Sequence, residues 1–275
     1  MIPYDVTVEI DEPQSETPTR DLDDLIETVR HWIIESERVV FLTGAGISTD
    51  SGIPDFRGPN GLWTTNPSAQ QASRLDAYLA DTMLRQVAWK NRLHSPVWSA
   101  SPSPGHRAIA DLDRTGRLGG VITQNIDELH QRSGLSPDKV LEVHGTMHRA
   151  VCWMCRHEEA MSIVLDRVRN GEVDPPCLRC GGIIKSATIS FGQALDPDVL
   201  RLAFECAESA DLFLAVGSSL QVYPVAGCLP RARSAGSRVV IVNGESTKMD
   251  NLADKVLLSP ISDVLPRLVQ GVPSR

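Results

Sequence analysis

RVVFLTGAGISTDSGIPDFRGPNGLW, residues 38–63, decides how the rest of the chain is read. Its first six residues form an apolar, β-branched run that predicts a buried strand. Gly44-Ala45-Gly46 follows at once, where the phosphate loop of a parallel sheet would lie. The dinucleotide fingerprint GxGxxG is incomplete, because Thr49 stands where its third glycine belongs. Asp55, Phe56 and Arg57 continue the stretch, and a simple dinucleotide loop has no use for them.

Working outward, DLDDLIETVRHWIIES places Leu22, Leu25, Ile26, Val29, Trp32 and Ile33 at helical spacing, with acids early as the helix dipole prefers. Residues 68–94 read as helical with a polar face. A loop with Pro102 and Pro104 then leads into another helix. Five more apolar runs read as strands: GGVITQNID, KVLEVHG, DLFLAVGSSLQVYP, SRVVIVNGES and KVLLSP. Strands alternating with helices predict an α/β fold, a Rossmann-like doubly wound parallel sheet with helices on both faces. Several strands end in Gly, Ser, Asn, Gln or Asp, and such sheets bind ligands beyond the carboxyl ends of their strands.

The chain has 275 residues, 41% hydrophobic, enough for one large domain with a smaller one attached. The net charge of −8 argues against sequence-independent nucleic-acid binding and leaves basic peptides acceptable. No apolar run is long enough for a membrane span, and the acidic start has no signal-peptide or transit-peptide character, so the expected location is cytoplasmic. Residues 1–18 mix Pro, Ser, Thr and acids and are expected to be a mobile extension.

Six cysteines in a cytosolic chain are expected to be reduced or metal-bound. Cys152/Cys155 and Cys177/Cys180 form two CxxC knuckles separated by 21 residues, the spacing of a structural zinc site. Four thiolates close the coordination shell, so the ion serves folding. A disulfide pair or redox CxxC is the alternative. The surrounding residues, 147–186, are expected to form a small zinc-binding lobe inserted, with a helical and loop module, into a nucleotide-binding domain of residues 19–146 and 187–275. Cys206 and Cys228 read as buried small hydrophobes.

TQNIDELHQ sets Gln124, Asn125 and Asp127 at the mouth of the second strand. One polar residue there would be a helix cap; three in four positions favour ligand contact. His144 ends the third strand beside Gly145 and is the candidate general base. His130, His148 and His157 lack that placement and read as capping, surface or lobe residues.

GAGISTDSGIPDFRGPNGLW, TQNIDELHQRSG, EVHG, the paired CxxC motifs, ISFGQ, GSSLQVYP and IVNGEST occur in that order and resemble the sirtuins, of the bacterial type, over roughly residues 20–270. The resemblance implies an NAD-dependent protein-lysine deacylase, most simply a deacetylase, that moves the acyl group to ADP-ribose and releases nicotinamide. NAD would be a consumed co-substrate and zinc a structural ion; the partners would be acyl-lysine proteins or peptides.

It further implies that Gly44, Ala45, Gly46 and Ile47 bind the phosphates. Asp55, Phe56, Arg57 and Trp63 would belong to the loop over ribose and nicotinamide. Gln124 would face the ribose, and Asn125 and Asp127 would hold the carboxamide, with Ile126 also in the NAD site and His144 as base. Gly217, Ser218 and Ser219 would bind phosphate and ribose; Asn243, Gly244 and Ile261 would take the adenosine end. Ile189, Ser190, Phe191 and Gly192, facing Val222, Tyr223 and Pro224, would receive the peptide as an added strand.

Two departures concern substrate contact. Gln193 stands where the family usually has Glu, and no proline shortly precedes the loop in IIKSATISFG. Members preferring acidic acyl chains carry Tyr-x-x-Arg before the Gly-His turn. A gap-free count gives Ala88 and Asn91 there; a shift of one gives Trp89 and Arg92. The expected preference is therefore for neutral acyl groups, with a succinyl-type preference open. Mono-ADP-ribosylation, a silent NAD-sensing protein and a Rossmann dehydrogenase remain as competing functions. The missing fingerprint glycine and the lack of an acidic ribose clamp count against the last.

Overall fold

The computed structural model describes residues 18–56, 58, 61–65 and 73–275. The predicted extension falls outside these residues except for Pro18, and so do Arg57 and the first part of the segment expected to be helical from residue 68.

Helix α1 (Pro18–Glu35) leads into strand β1 (Val39–Thr43), whose five residues are all buried. A 3-10 helix, Ala45–Ser51, turns away from its end. A short helix α2 (Leu62–Thr65) precedes α3 (Leu75–Ala80) and α4 (Thr82–Leu93). The expected single helix is thus broken at Asp81, whose carboxylate accepts from Met83 N at 2.8 Å and Leu84 N at 3.1 Å and so caps a new start. Helix α5 (Pro104–Arg114) begins at a Ser103/His106 capping box.

Strands β2 (Leu118–Thr123), β3 (Val140–Glu142), β7 (Leu212–Val216), β8 (Arg238–Asn243) and β9 (Lys255–Leu258) join β1 in a sheet of order β3-β2-β1-β7-β8-β9. All its pairings are parallel. Numbered along the sheet alone, this is the 3-2-1-4-5-6 arrangement of dinucleotide-binding folds, whose strand order reverses between β1 and β7. Successive side chains of a strand face opposite sides. Val39 and Phe41 accordingly pack with α1, α5 and α10 (Ile261–Val269), while Val40 and Leu42 pack with α8 (Pro197–Glu208) and α9 (Cys228–Ser234).

Between β3 and β7 the chain builds a second, antiparallel sheet, β5-β4-β6, from β4 (Gly145–Cys152), β5 (Glu158–Ala160) and β6 (Ile184–Thr188). With α7 (Met161–Arg169) it encloses a small apolar cluster around the fully buried Trp89 of α4. The Arg85–Asp174 ion pair, at 2.9 Å, ties α4 to the loop before Cys177.

Candidate active site and metal centre

The carboxyl ends of β1, β2 and β7 meet where the strand order reverses. Their backbones approach too closely for side chains. A Cβ on Gly44 would stand 2.6 Å from Gly217 O, and one on Gly46 would stand 2.7 Å from Gly217 Cα. Gly217 itself has φ +62, a left-handed conformation that glycine adopts without strain. The Gly46 N–H donates to Gly217 O at 2.9 Å and that of Ile47 to Gly44 O at 3.2 Å. These two amides therefore build the turn; they were expected to meet phosphate.

Buried polar side chains line the same mouth. Asn125 is 8% and Asp127 4% exposed. Asn125 Nδ2 donates to Gly44 O and to Ser48 Oγ, both at 3.1 Å, and Ser48 Oγ donates to Asp127 Oδ2 at 2.8 Å. Asp127 Oδ1 accepts from Leu129 N at 3.0 Å, ahead of the short helix α6 (Leu129–Arg132). Burial raises the Asp127 carboxyl above its usual range, and these hydrogen bonds oppose the shift. Gln124 Nε2 donates to Ser218 Oγ at 2.8 Å, linking the ends of β2 and β7 across β1. Ser48 was not singled out in the sequence; its position inside GAGIS was the available signal.

His144 sits between β3 and β4. Its Nδ1 lies 3.0 Å from the carbonyl of Gln124. A carbonyl only accepts, so Nδ1 carries the proton and the neutral ring keeps a lone pair on Nε2. Burial lowers the His144 pKa, opposed by that same hydrogen bond, and favours this neutral form. The backbone carbonyl of His144 accepts from Ile189 N at 2.8 Å, fixing His144 to the start of the segment expected to bind peptide. Glu142, two residues earlier, is raised to about 7 by burial and by Glu128 and Asp127.

The remaining expected site residues are placed as follows. Asp55 accepts from Gly58 N at 2.9 Å and so shapes its own turn. Phe56 is 39% exposed. Arg57 and the Trp63 side chain lie outside the described residues. Ile126 and Ser219 are half-buried near the strand ends. Gly244, beyond β8, has open space beside it, while Asn243 Nδ2 donates to Glu245 O at 2.8 Å. Ile261 is 8% exposed and packs near Gly105, so most of its surface belongs to the core. Phe191 bonds Ser73 O and Leu75 N through its own N–H and carbonyl. The N–H and carbonyl of Phe191 are thus already taken by the chain's own backbone.

His130, read as bland in the sequence, packs against His106 close behind the site. His130 is 1% exposed, with Nε2 2.9 Å from Thr43 Oγ1, and its ring centroid is 4.8 Å from that of His106. Burial holds both neutral: His106 is lowered to about 3, and His130 falls well below its usual value. His148 contacts the Asp127 carbonyl at 3.2 Å, and His157 lies 3.4 Å from Arg179.

In the small sheet, the sulfurs of Cys152, Cys155, Cys177 and Cys180 all lie within 4.8 Å of one another. Cys152 Sγ is 3.5 Å from Cys180 Sγ, and Cys155 Sγ is 3.7 Å from Cys177 Sγ. A tetrahedron with Zn–S bonds of ~2.3 Å has edges of ~3.8 Å, so four thiolates at these separations fit zinc. No disulfide joins them. Cys228 is buried and Cys206 half-buried, with both thiols raised by burial.

Residues 44–224 match the model of the Sir2 family. The chain belongs to the Sir2 family. It is 48% identical over 234 residues to NAD-dependent protein deacetylase 2 of Streptomyces coelicolor, covering 85% of this chain and 97% of that one. NAD-dependent protein deacylase 2 of Pyrobaculum aerophilum is 40% identical over 92% of this chain and 95% of its own. Among solved structures, a Sir2 variant with histidine replaced by alanine, in complex with a deacetylated p53 peptide and 3′-O-acetyl ADP-ribose, superposes with a TM-score of 0.83 at 33% identity. It covers 90% of this chain and 99% of that one. A Sir2 complex with p53 peptide and NAD gives a TM-score of 0.77 at 32% identity, over 92% of this chain and 97% of the other. The glycine turn, the buried Asn125–Ser48–Asp127 network and the open space at Gly244 fit a dinucleotide, as this Sir2 fold requires.

Proposed function

We propose that this protein is an NAD-dependent protein-lysine deacylase, and a deacetylase first. The observation that carries the reading is His144, a neutral imidazole held by the end of β2 whose own backbone holds the start of the substrate segment. One group thus stands where the nucleotide and the peptide must meet.

NAD supplies the nicotinamide leaving group and the ribose that receives the acyl group. Asn125, Asp127 and Ile126 hold the carboxamide end, and Ser48 fixes the first two in place. The buried Asp127 and Asn125 exchange water for fixed dipoles at this end of the pocket. His144 Nε2 accepts a proton from a ribose hydroxyl, and the Gln124 carbonyl steadies the imidazolium that results. Gln124 and Ser218 orient the ribose and the adjoining phosphate. Phe56 shields the reacting carbon from water. The acyl-lysine peptide lies extended between Gly192 and Val222–Tyr223, its acylated side chain directed at His144. Zinc at the four cysteines holds the small sheet, in a lobe of about residues 147–186, and takes no part in the chemistry. We place the protein in the cytoplasm, where such thiolates stay reduced. No helix among the described residues is long and apolar enough to cross a membrane.

The surroundings of Arg92 support a neutral acyl group. Its guanidinium carbon lies 4.7 Å from the Trp89 ring centroid and 5.2 Å from that of Tyr78, and Nη1 donates to Tyr78 Oη at 3.3 Å. The cation is thereby engaged between aromatic rings. Turnover of matched acetyl-, succinyl- and long-chain-acyl-lysine peptides with NAD tests this: acetyl-lysine gives the highest kcat/KM, and a higher value for succinyl-lysine overturns the neutral preference.

A further inference from the structure

We propose that a small cavity beside the substrate segment is a subsite for an acidic side chain, Asp or Glu, of the acylated peptide, held by Arg156 and Lys185. This rests on the deacylase function above. The cavity measures about 90 Å³ and is bordered by Trp153, Arg156, Glu158, Lys185, Ile189 and Gln193 among others. At ~30 Å³ per water it has room for about three waters, and so for a methylene and a carboxylate.

Its charges do not balance. Lys185 is 2% exposed, and among the described residues its Nζ donates to the carbonyls of Ser186 and Thr188, which uses two of its three N–H bonds. The neighbouring charges that act on it, Arg92 and Arg156, are both positive. Glu158, the one acid in the lining, is bound by Arg149 at 2.8–2.9 Å. Arg156 stands over Trp153, 5.8 Å from its ring centroid, in a left-handed conformation with φ 59 that turns the chain at the knuckle. Gln193 is neutral and adds no negative charge. A buried cation without a counterion is costly, and an arriving carboxylate removes that cost.

The cavity's position makes the peptide the source of the carboxylate. It adjoins Ile189 and Gln193, which flank the Ser190–Gly192 segment beside which the peptide is proposed to lie. Residues of an extended strand are ~3.3 Å apart, so an acid within three residues of the acyl-lysine samples positions up to ~10 Å from it along the peptide.

The test is steady-state deacetylation at saturating NAD with acetyl-lysine peptides carrying Glu or Gln at each of the three positions on either side. At one position the Glu peptide has a KM about tenfold below its Gln counterpart, with kcat equal. Arg156→Gln brings the two KM values together. Arg156→Glu inverts the preference toward a Lys-bearing peptide, with bound zinc measured to confirm that the lobe is folded. Equal KM values for Glu and Gln at every position in the wild type overturn the subsite while leaving the deacylase function standing. No NAD-dependent turnover of any peptide overturns both.

Discussion

In the six-stranded sheet, Val39 and Phe41 face one helical layer while Val40 and Leu42 face the other, so every β1 residue but the last adds to one of two large apolar cores. In the three-stranded sheet, Ala150, Cys152 and Ile184 face a single small cluster, and the opposite face carries Lys185, Arg156 and Trp153 around a polar cavity. The first sheet is held by buried area, which scales with the number of apolar side chains removed from water. The second has too little such area and places four sulfurs at zinc-binding separations. His144 joins the two, one residue before β4 and two after β3. His144 is therefore positioned by the six-stranded sheet and linked to the three-stranded one.

The largest expected effect breaks the weaker partner. Stripping zinc with a chelator, or Cys177→Ser, unfolds the small sheet, since zinc contributes on the order of 10 kcal/mol in comparable sites. Mass spectrometry under native conditions finds one zinc per chain before treatment. A chain with no zinc and unchanged melting would remove the metal from the account.

His144→Ala acts on the junction and leaves both sheets folded. It lowers kcat by roughly 10²–10⁴-fold, the usual contribution of a general base, with little change in Tm. Retained turnover would reassign the base. Because the His144 pKa is lowered, the acid limb of the kcat/KM profile lies below pH 6.5; a limb centred above pH 7 contradicts the buried neutral imidazole.

Acid tests the large sheet. His106 and His130 are neutral when folded and protonate near pH 6.5 when unfolded. The unfolded state binds more protons below that pH, so their stabilisation is complete above about pH 6.5 and is lost as pH falls toward the folded values. Each contributes a slope of up to about 1.4 kcal/mol per pH unit. Thermal melts from pH 7 to pH 4 show the decline, and a flat Tm over that range rejects it.

The smallest effect sharpens the link between the regions. Arg85→Ala removes the ion pair to Asp174 along with hydrogen bonds to the Tyr78 and Leu79 carbonyls, which costs about 2 kcal/mol. Denaturant titration reads the loss; an unchanged midpoint shows the pair to be dispensable.

Much of this was legible in the sequence, for a physical reason. Parallel strands buried on both faces appear as uninterrupted apolar runs, and their ligand-binding ends must be small or polar, so β1, β2, β7 and β8 announce both fold and mouth. The CxxC pairs are equally direct, because the ion fixes the ligand type and spacing. Long-range polar contacts were not legible. Asn125 and Ser48 are 77 residues apart, and Arg85 and Asp174 are 89. Each looks alone like a cap or a surface group. The burial of His130 is illegible for the same reason: nothing local shows that Thr43 and His106 surround it. The break at Asp81 was present as a helix-capping residue and was masked by the helical composition on either side.

The central claim is that this mouth spends the glycosidic bond of NAD to move an acyl group. Its most direct test is the product balance for one acetyl-lysine peptide: nicotinamide, deacetylated peptide and O-acetyl-ADP-ribose, quantified together by mass spectrometry. All three are expected in equal amounts. Nicotinamide release with a peptide that keeps its acetyl group and gains the mass of ADP-ribose would contradict it.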